Sequence, residues 1–65
     1  MIEFETESGC RMFVDQWRVI AIQEIGKDYE GRDRTEVVVE HRSFYVRSDI
    51  ASVVDKITFA RANLP

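Results

Sequence analysis

Residues 2 to 7, Ile-Glu-Phe-Glu-Thr-Glu, place Ile2, Phe4 and Thr6 on one side of an extended chain and Glu3, Glu5 and Glu7 on the other. Strand side chains alternate between faces, so this segment predicts a strand with one dry face and one wet face. A three-residue loop at Glu7-Ser8-Gly9, with Gly9 in the left-handed position, then sets the hairpin register. Thr6 faces Cys10, Glu5 faces Arg11, Phe4 faces Met12, Glu3 faces Phe13 and Ile2 faces Val14. A two-residue Ser8-Gly9 loop would oppose Glu5 to Met12 and mix the faces, so the longer loop is preferred.

Asp15-Gln16-Trp17 reads as a short connection. Arg18 to Ile25 reads as a third strand, because Val19, Ile20 and Ile22 are poor helix formers and a glycine follows soon after. Gly26 to Thr35, with two glycines and mixed charges, predicts a solvated, mobile loop. Strand four is expected over Glu36–Glu40 and strand five over Ser43–Arg47, joined by a tight turn at His41-Arg42. That register pairs Val39 with Phe44, Val37 with Val46 and Glu36 with Arg47, although His-Arg lacks the glycine or asparagine usual in such turns. Ser48 or Asp49 caps a helix of about fourteen residues. Its stripe is Ile50, Val53, Val54, Ile57, Ala60 and Leu64, and Asn63 and Pro65 end it. The expected fold is α+β: an antiparallel sheet of about five short strands with one C-terminal helix on one face. Residues 1–65 read as a single small domain.

Size changes the picture. A chain of 65 residues hides only about 60% of its unfolded surface, and such domains usually add disulfides, a metal or a second copy. Cys10 is the only cysteine and His41 the only histidine. An internal disulfide is therefore excluded, and a zinc tetrad lacks ligands. Self-association is the remaining remedy, so a homo-oligomer is expected, with a dimer favoured. Net charge is −3, which gives no basic field to attract phosphate backbones. The longest uncharged apolar run, Val19–Ile22, is far short of the roughly 20 residues that span a bilayer. The strand pattern at the first residues leaves no room for a signal peptide. A lone thiol without an export signal points to the cytoplasm.

Catalytic groups are scarce. His41 falls in a turn with no second imidazole near it, so no enzyme chemistry is expected. Cys10 reads as a small buried or half-buried filler rather than a reactive thiol. Glu3, Glu5 and Glu7 could hold a cation or imitate phosphates, yet their spacing of about 7 Å is too wide for one ion. An ordinary wet face, neutralised across the strand by Arg11, is the preferred reading. Gly26 and Gly31 lack the Gly-Lys-Ser/Thr ending of a phosphate loop. Tyr29, Arg32, Arg34, Tyr45 and Arg47 make a thin version of a nucleic-acid surface. No cofactor or metal is called for.

The apolar surplus is the sharper signal. With Ile2, Phe4, Met12, Val14, Val37, Val39, Phe44 and Val46 on the helix-covered face, the opposite face still carries Phe13, Val38 and Tyr45. It also takes either Val19 and Ala21 or Ile20 and Ile22. A solvated sheet face should read polar. Phe59 lies about 180° from Ile50 around the helix, away from the core stripe. Phe13, Trp17, Val38, Tyr45 and Phe59 are thus the candidate interface, with Trp17 open between core lid and interface anchor.

Two stretches carry a family likeness. Arg-Met-Phe-Val-Asp-Gln-Trp-Arg-Val-Ile-Ala-Ile-Gln-Glu-Ile (Arg11 to Ile25) and Ser-Phe-Tyr-Val-Arg-Ser-Asp-Ile-Ala-Ser-Val-Val-Asp-Lys-Ile (Ser43 to Ile57) resemble the small FlbD-like proteins associated with bacterial flagella and swarming. Where that family has Asn-Gly turns this chain has Ser8-Gly9 and His41-Arg42, and its Gly26–Thr35 loop is longer. The resemblance implies a cytoplasmic, non-enzymatic accessory protein and supplies no catalytic or ligand residue. The leading expectation is a regulatory module that self-associates and binds another protein. The rival is a phage-type inhibitor of a host enzyme or defence system, using Glu3, Glu5, Glu7 or the loop bearing Tyr29, Arg32 and Arg34. RNA binding through Arg32, Arg34 and Arg47 is the weakest of the three, and no membrane partner is expected.

Overall fold

The structure, a computed structural model, describes residues 1–63. Its elements in chain order are β1 (Ile2–Glu5), β2 (Arg11–Val14), β3 (Val19–Lys27), β4 (Asp33–Val39), β5 (Arg42–Val46) and α1 (Ile50–Ala62). All strand pairs are antiparallel, which gives the expected α+β arrangement of five strands and a C-terminal helix. The strands form two sheets, β1–β2 and β3–β4–β5. A bridge between Thr6 and Val46 joins them. There the Glu7 N–H donates to the Tyr45 carbonyl at 3.1 Å and the Arg47 N–H to the Glu5 carbonyl at 3.0 Å.

The first hairpin has the expected register, from Ile2 opposite Val14 to Glu5 opposite Arg11. Gly9, at φ +88°, takes the left-handed conformation that a side chain would resist. The second hairpin differs from expectation. Its strands run on to Lys27 and start again at Asp33, so the supposed long loop shrinks to Asp28–Arg32. Asp28 closes it: its carboxylate accepts the backbone N–H groups of Glu30 and Arg32, each at 2.9 Å, and Gly31 turns the chain at φ +78°. Hydrogen-bonded Asx turns give an acidic, glycine-bearing segment a fixed shape.

The third hairpin turns at Glu40-His41 instead of His41-Arg42, and its register is offset by two. Val37 faces Phe44, Glu36 faces Tyr45 and Thr35 faces Val46. A slip of two keeps every side chain on its own face, so apolar patterning cannot distinguish these registers. What accompanies the observed one is long-range and polar: the Thr35 hydroxyl donates to the Ser48 carbonyl at 2.7 Å.

β3 contains a bulge. Val19 opposes Val39 and Ala21 opposes Val38, which leaves Ile20 as the extra residue. Strict alternation forces a choice between Val19 with Ala21 and Ile20 with Ile22. The bulge changes phase instead, so Val19 is buried and Ile22 packs against the core. Ile20 is left 66% exposed. The core is Ile2, Phe4, Val14, Val19, Val37, Val46, Val53 and Ile57, with Met12, Ile22, Val39, Phe44 and Ala60 around it.

Asp49 is the N-cap of α1, accepting from the Ser52 N–H at 3.3 Å and the Ser52 hydroxyl at 2.7 Å. Asn63 caps the other end, its N–H donating to the Phe59 carbonyl. Only part of the expected stripe is buried, namely Val53 and Ile57; Val54 is exposed. Leu64 and Pro65 lie outside the described residues.

Candidate functional site

The five candidate interface residues do not share one face. Val38 and Tyr45 do lie together, on the outer face of the three-stranded sheet: Val38 opposes Ser43 and Tyr45 opposes Glu36, which makes them diagonal neighbours. Ala21 and Gln23 of β3 complete this face opposite Val38 and Glu36. It is therefore half polar. Phe13 stands on the other sheet, opposite Glu3, with the Arg11 guanidinium 5.8 Å from its ring centre. β1 and its glutamates separate Phe13 from Tyr45, so the single apolar second face is not what forms. One five-stranded sheet would have aligned them; two sheets joined at one end do not.

Trp17 and Phe59 belong to the helix side. Trp17 sits in the β2–β3 connection, its N–H donating to an Asp15 carboxylate oxygen at 2.9 Å. It is 57% exposed, so it is no core lid, and the Arg61 guanidinium lies 5.6 Å from its ring centre. Phe59, 70% exposed, walls an open and mainly apolar groove between β1 and α1. Met1, Ile2, Gln16 and Ala60 line the same groove, and Gln16 is the neighbour of Trp17 in sequence. Arg61 fixes this corner by donating to the carbonyls of Gln16 at 2.9 Å and Val19 at 3.1 Å.

The alternative surface cancels itself. Glu3 pairs with Arg11 at 3.3 Å, Glu5 with Arg47 at 3.7 Å and Glu7 with Arg34 at 3.0 Å. Arg11 thus neutralises Glu3, its diagonal neighbour, rather than Glu5 directly opposite, and Arg47 goes to Glu5 rather than Glu36. Arg32 pairs with Asp28 at 3.3 Å and with Glu30 at 2.6 Å. Every glutamate of the acidic row therefore has its own arginine, and two of the three arginines of the basic set, Arg34 and Arg47, are among them. Within these pairs the charges balance, and such pairs hold little field at physiological salt. Tyr29 stands fully exposed at the hairpin tip.

The titrating groups that depart from ordinary values are structural. The Asp28 carboxyl is held low chiefly by the backbone N–H of Arg32, and the Asp49 carboxyl by the Ser52 hydroxyl and N–H. The Lys27 ammonium is raised by its hydrogen bond to Asp33. Cys10 is exposed, not a half-buried filler: the alternation puts Thr6 and Cys10 past the end of the core, at the hairpin mouth. The residues that sequence reading missed are Thr35, Gln16, Lys56 and Arg61. The first two are buried polar groups, and the two cations bind carbonyls 42 to 53 residues away, a separation no local pattern encodes.

Among the described residues no cluster of His, Cys, Asp and Glu is placed to hold a metal ion, and no helix is long and apolar enough to cross a membrane. Comparison with protein-family models, curated proteins and solved structures finds no match to this chain.

Proposed function

We propose that this chain is a small non-enzymatic accessory protein that works by binding another protein and that self-associates, with a dimer favoured. One observation carries the reading: Phe13, Trp17, Tyr45 and Phe59 are 42–70% exposed, while the buried core holds only eight apolar side chains among the described residues. Large aromatic groups in water are the usual anchors of protein interfaces, and a core this small gains from a covering partner. The self-neutralised acidic row favours this reading over an inhibitor that imitates nucleic-acid charge. The likeness of Arg11–Ile25 and Ser43–Ile57 to FlbD-like proteins supports the same class. Its setting in this reading is the cytoplasm, where the exposed Cys10 stays reduced.

The test is the solution mass of the purified chain and of its Val38→Asp, Tyr45→Asp and Phe59→Asp variants. A dimer that at least one of these splits into a folded monomer is the expected result. An unchanged monomeric mass for the parent chain over the micromolar range overturns self-association. The same variants, tested against a partner identified by crosslinking in the source cell, decide the rest.

A further inference from the structure

Few contacts hold α1 to the sheets. Val53 and Ile57 are its only buried residues. Ala60 packs partly against the core, and two cations add to the hold: Lys56 donates to the Glu3 carbonyl at 3.0 Å, and Arg61 clamps the Gln16 and Val19 carbonyls. The strands are held otherwise. Phe4, Thr35, Val37 and Val46 are 0–2% exposed, and each lies in a hydrogen-bonded strand pair.

The helix has little stability of its own. At 13 residues it has the length at which isolated helices are marginal in water, even with good formers. Ile50, Val53, Val54, Ile57 and Thr58 are β-branched, and such residues lose side-chain freedom in a helix. The Thr35–Ser48 hydrogen bond ties the start of the β5–α1 connection to the sheet. Any pivot therefore falls just beyond Ser48, at Asp49, whose backbone is extended (φ −73°, ψ 158°).

We propose that α1 is a lid. It leaves its seat as one unit, unwinding as it does so, at a lower free energy than global unfolding. The open form uncovers the apolar seat of Ile2, Phe4, Val19 and Val37 on β1, β3 and β4, the strands that α1 packs against. The clamps of Arg61 and Lys56 set how often this happens. This opening does not depend on the binding role proposed above.

Native-state hydrogen exchange of the full chain, followed by NMR through low denaturant, tests it. The expected result is two groups of amides. Those of Val54 to Ala62 exchange together, roughly a hundredfold faster than those of Val37 and Val46, with a shallower denaturant dependence. Arg61→Gln removes two charge-assisted bonds that the open and the globally unfolded forms both lack. It therefore speeds both groups by a similar factor, about tenfold or more. Thr35→Val, whose bond to Ser48 the open form keeps, speeds the strand group alone. One protection level and one denaturant slope shared by helix and strands overturns the proposal. So does a Thr35→Val effect equal in both groups. If that variant does not fold, the two-group comparison in the parent chain decides alone.

Discussion

The strand side and the helix side of this molecule settle their charges in different ways. Along β1 and the turn that follows it, Glu3, Glu5 and Glu7 each close an ion pair with an arginine from a neighbouring segment. On α1, Lys56 and Arg61 make no ion pair among the described residues and instead donate to backbone carbonyls, each beside an aromatic ring. The acidic row is thereby neutralised pair by pair. On the helix side Phe59 stays exposed in the wall of a mainly apolar groove, and Trp17 stays exposed next in sequence to Gln16 of its lining. A face that satisfies its own charges offers a partner little, whereas exposed aromatics around a groove offer it contact area.

The contrast can be broken most severely from within the core. Phe4 is 2% exposed, and Phe4→Ala is expected to cost about 3–5 kcal/mol, enough to leave a domain of this size largely unfolded at room temperature by circular dichroism. Thr35→Val keeps the shape but orphans the Ser48 carbonyl, at a cost of about 1–3 kcal/mol in chemical denaturation. Ile20→Thr, at the exposed bulge, should by comparison leave the denaturation midpoint nearly unchanged.

Acid sharpens the comparison, because both depressed carboxyls lie at turns and caps. Asp28 and Asp49 have lower values folded than unfolded. Their contribution is therefore present above the ordinary carboxylate value and lost as pH falls through about 4 and below. Thermal midpoints should drop over that window, and Asp49→Asn, which keeps a capping oxygen, should flatten the drop. The acidic row responds weakly. Replacing Glu3, Glu5 and Glu7 together by Gln should cost at most about 1 kcal/mol per pair. In the proposed reading it leaves the solution mass unchanged.

How much of this was legible in the chain follows from the range of each interaction. The first hairpin was, because a period-two run with a glycine three residues later specifies face and register at once. So was the helix, from Asp49 and the Val53–Ile57 spacing. The β4–β5 register was not: Val37 can face Phe44 or Val46 with the same sides buried, and what goes with the observed choice is the hydroxyl of Thr35 reaching Ser48. The bulge at Ile20 was hidden for a related reason, since four consecutive apolar residues carry no phase. The candidate interface was legible as residue types and not as a surface. Exposure of Phe13, Tyr45 and Phe59 was foreseen, but their separation onto two sheets and a helix depends on where the sheet divides.

The most direct measurement is sedimentation equilibrium of the purified chain across micromolar concentrations, beside the Phe59→Asp and Tyr45→Asp variants. The account predicts a reversible dimer that at least one of these substitutions splits without unfolding. A chain that stays folded and monomeric throughout, with its aromatic side chains in water, contradicts it.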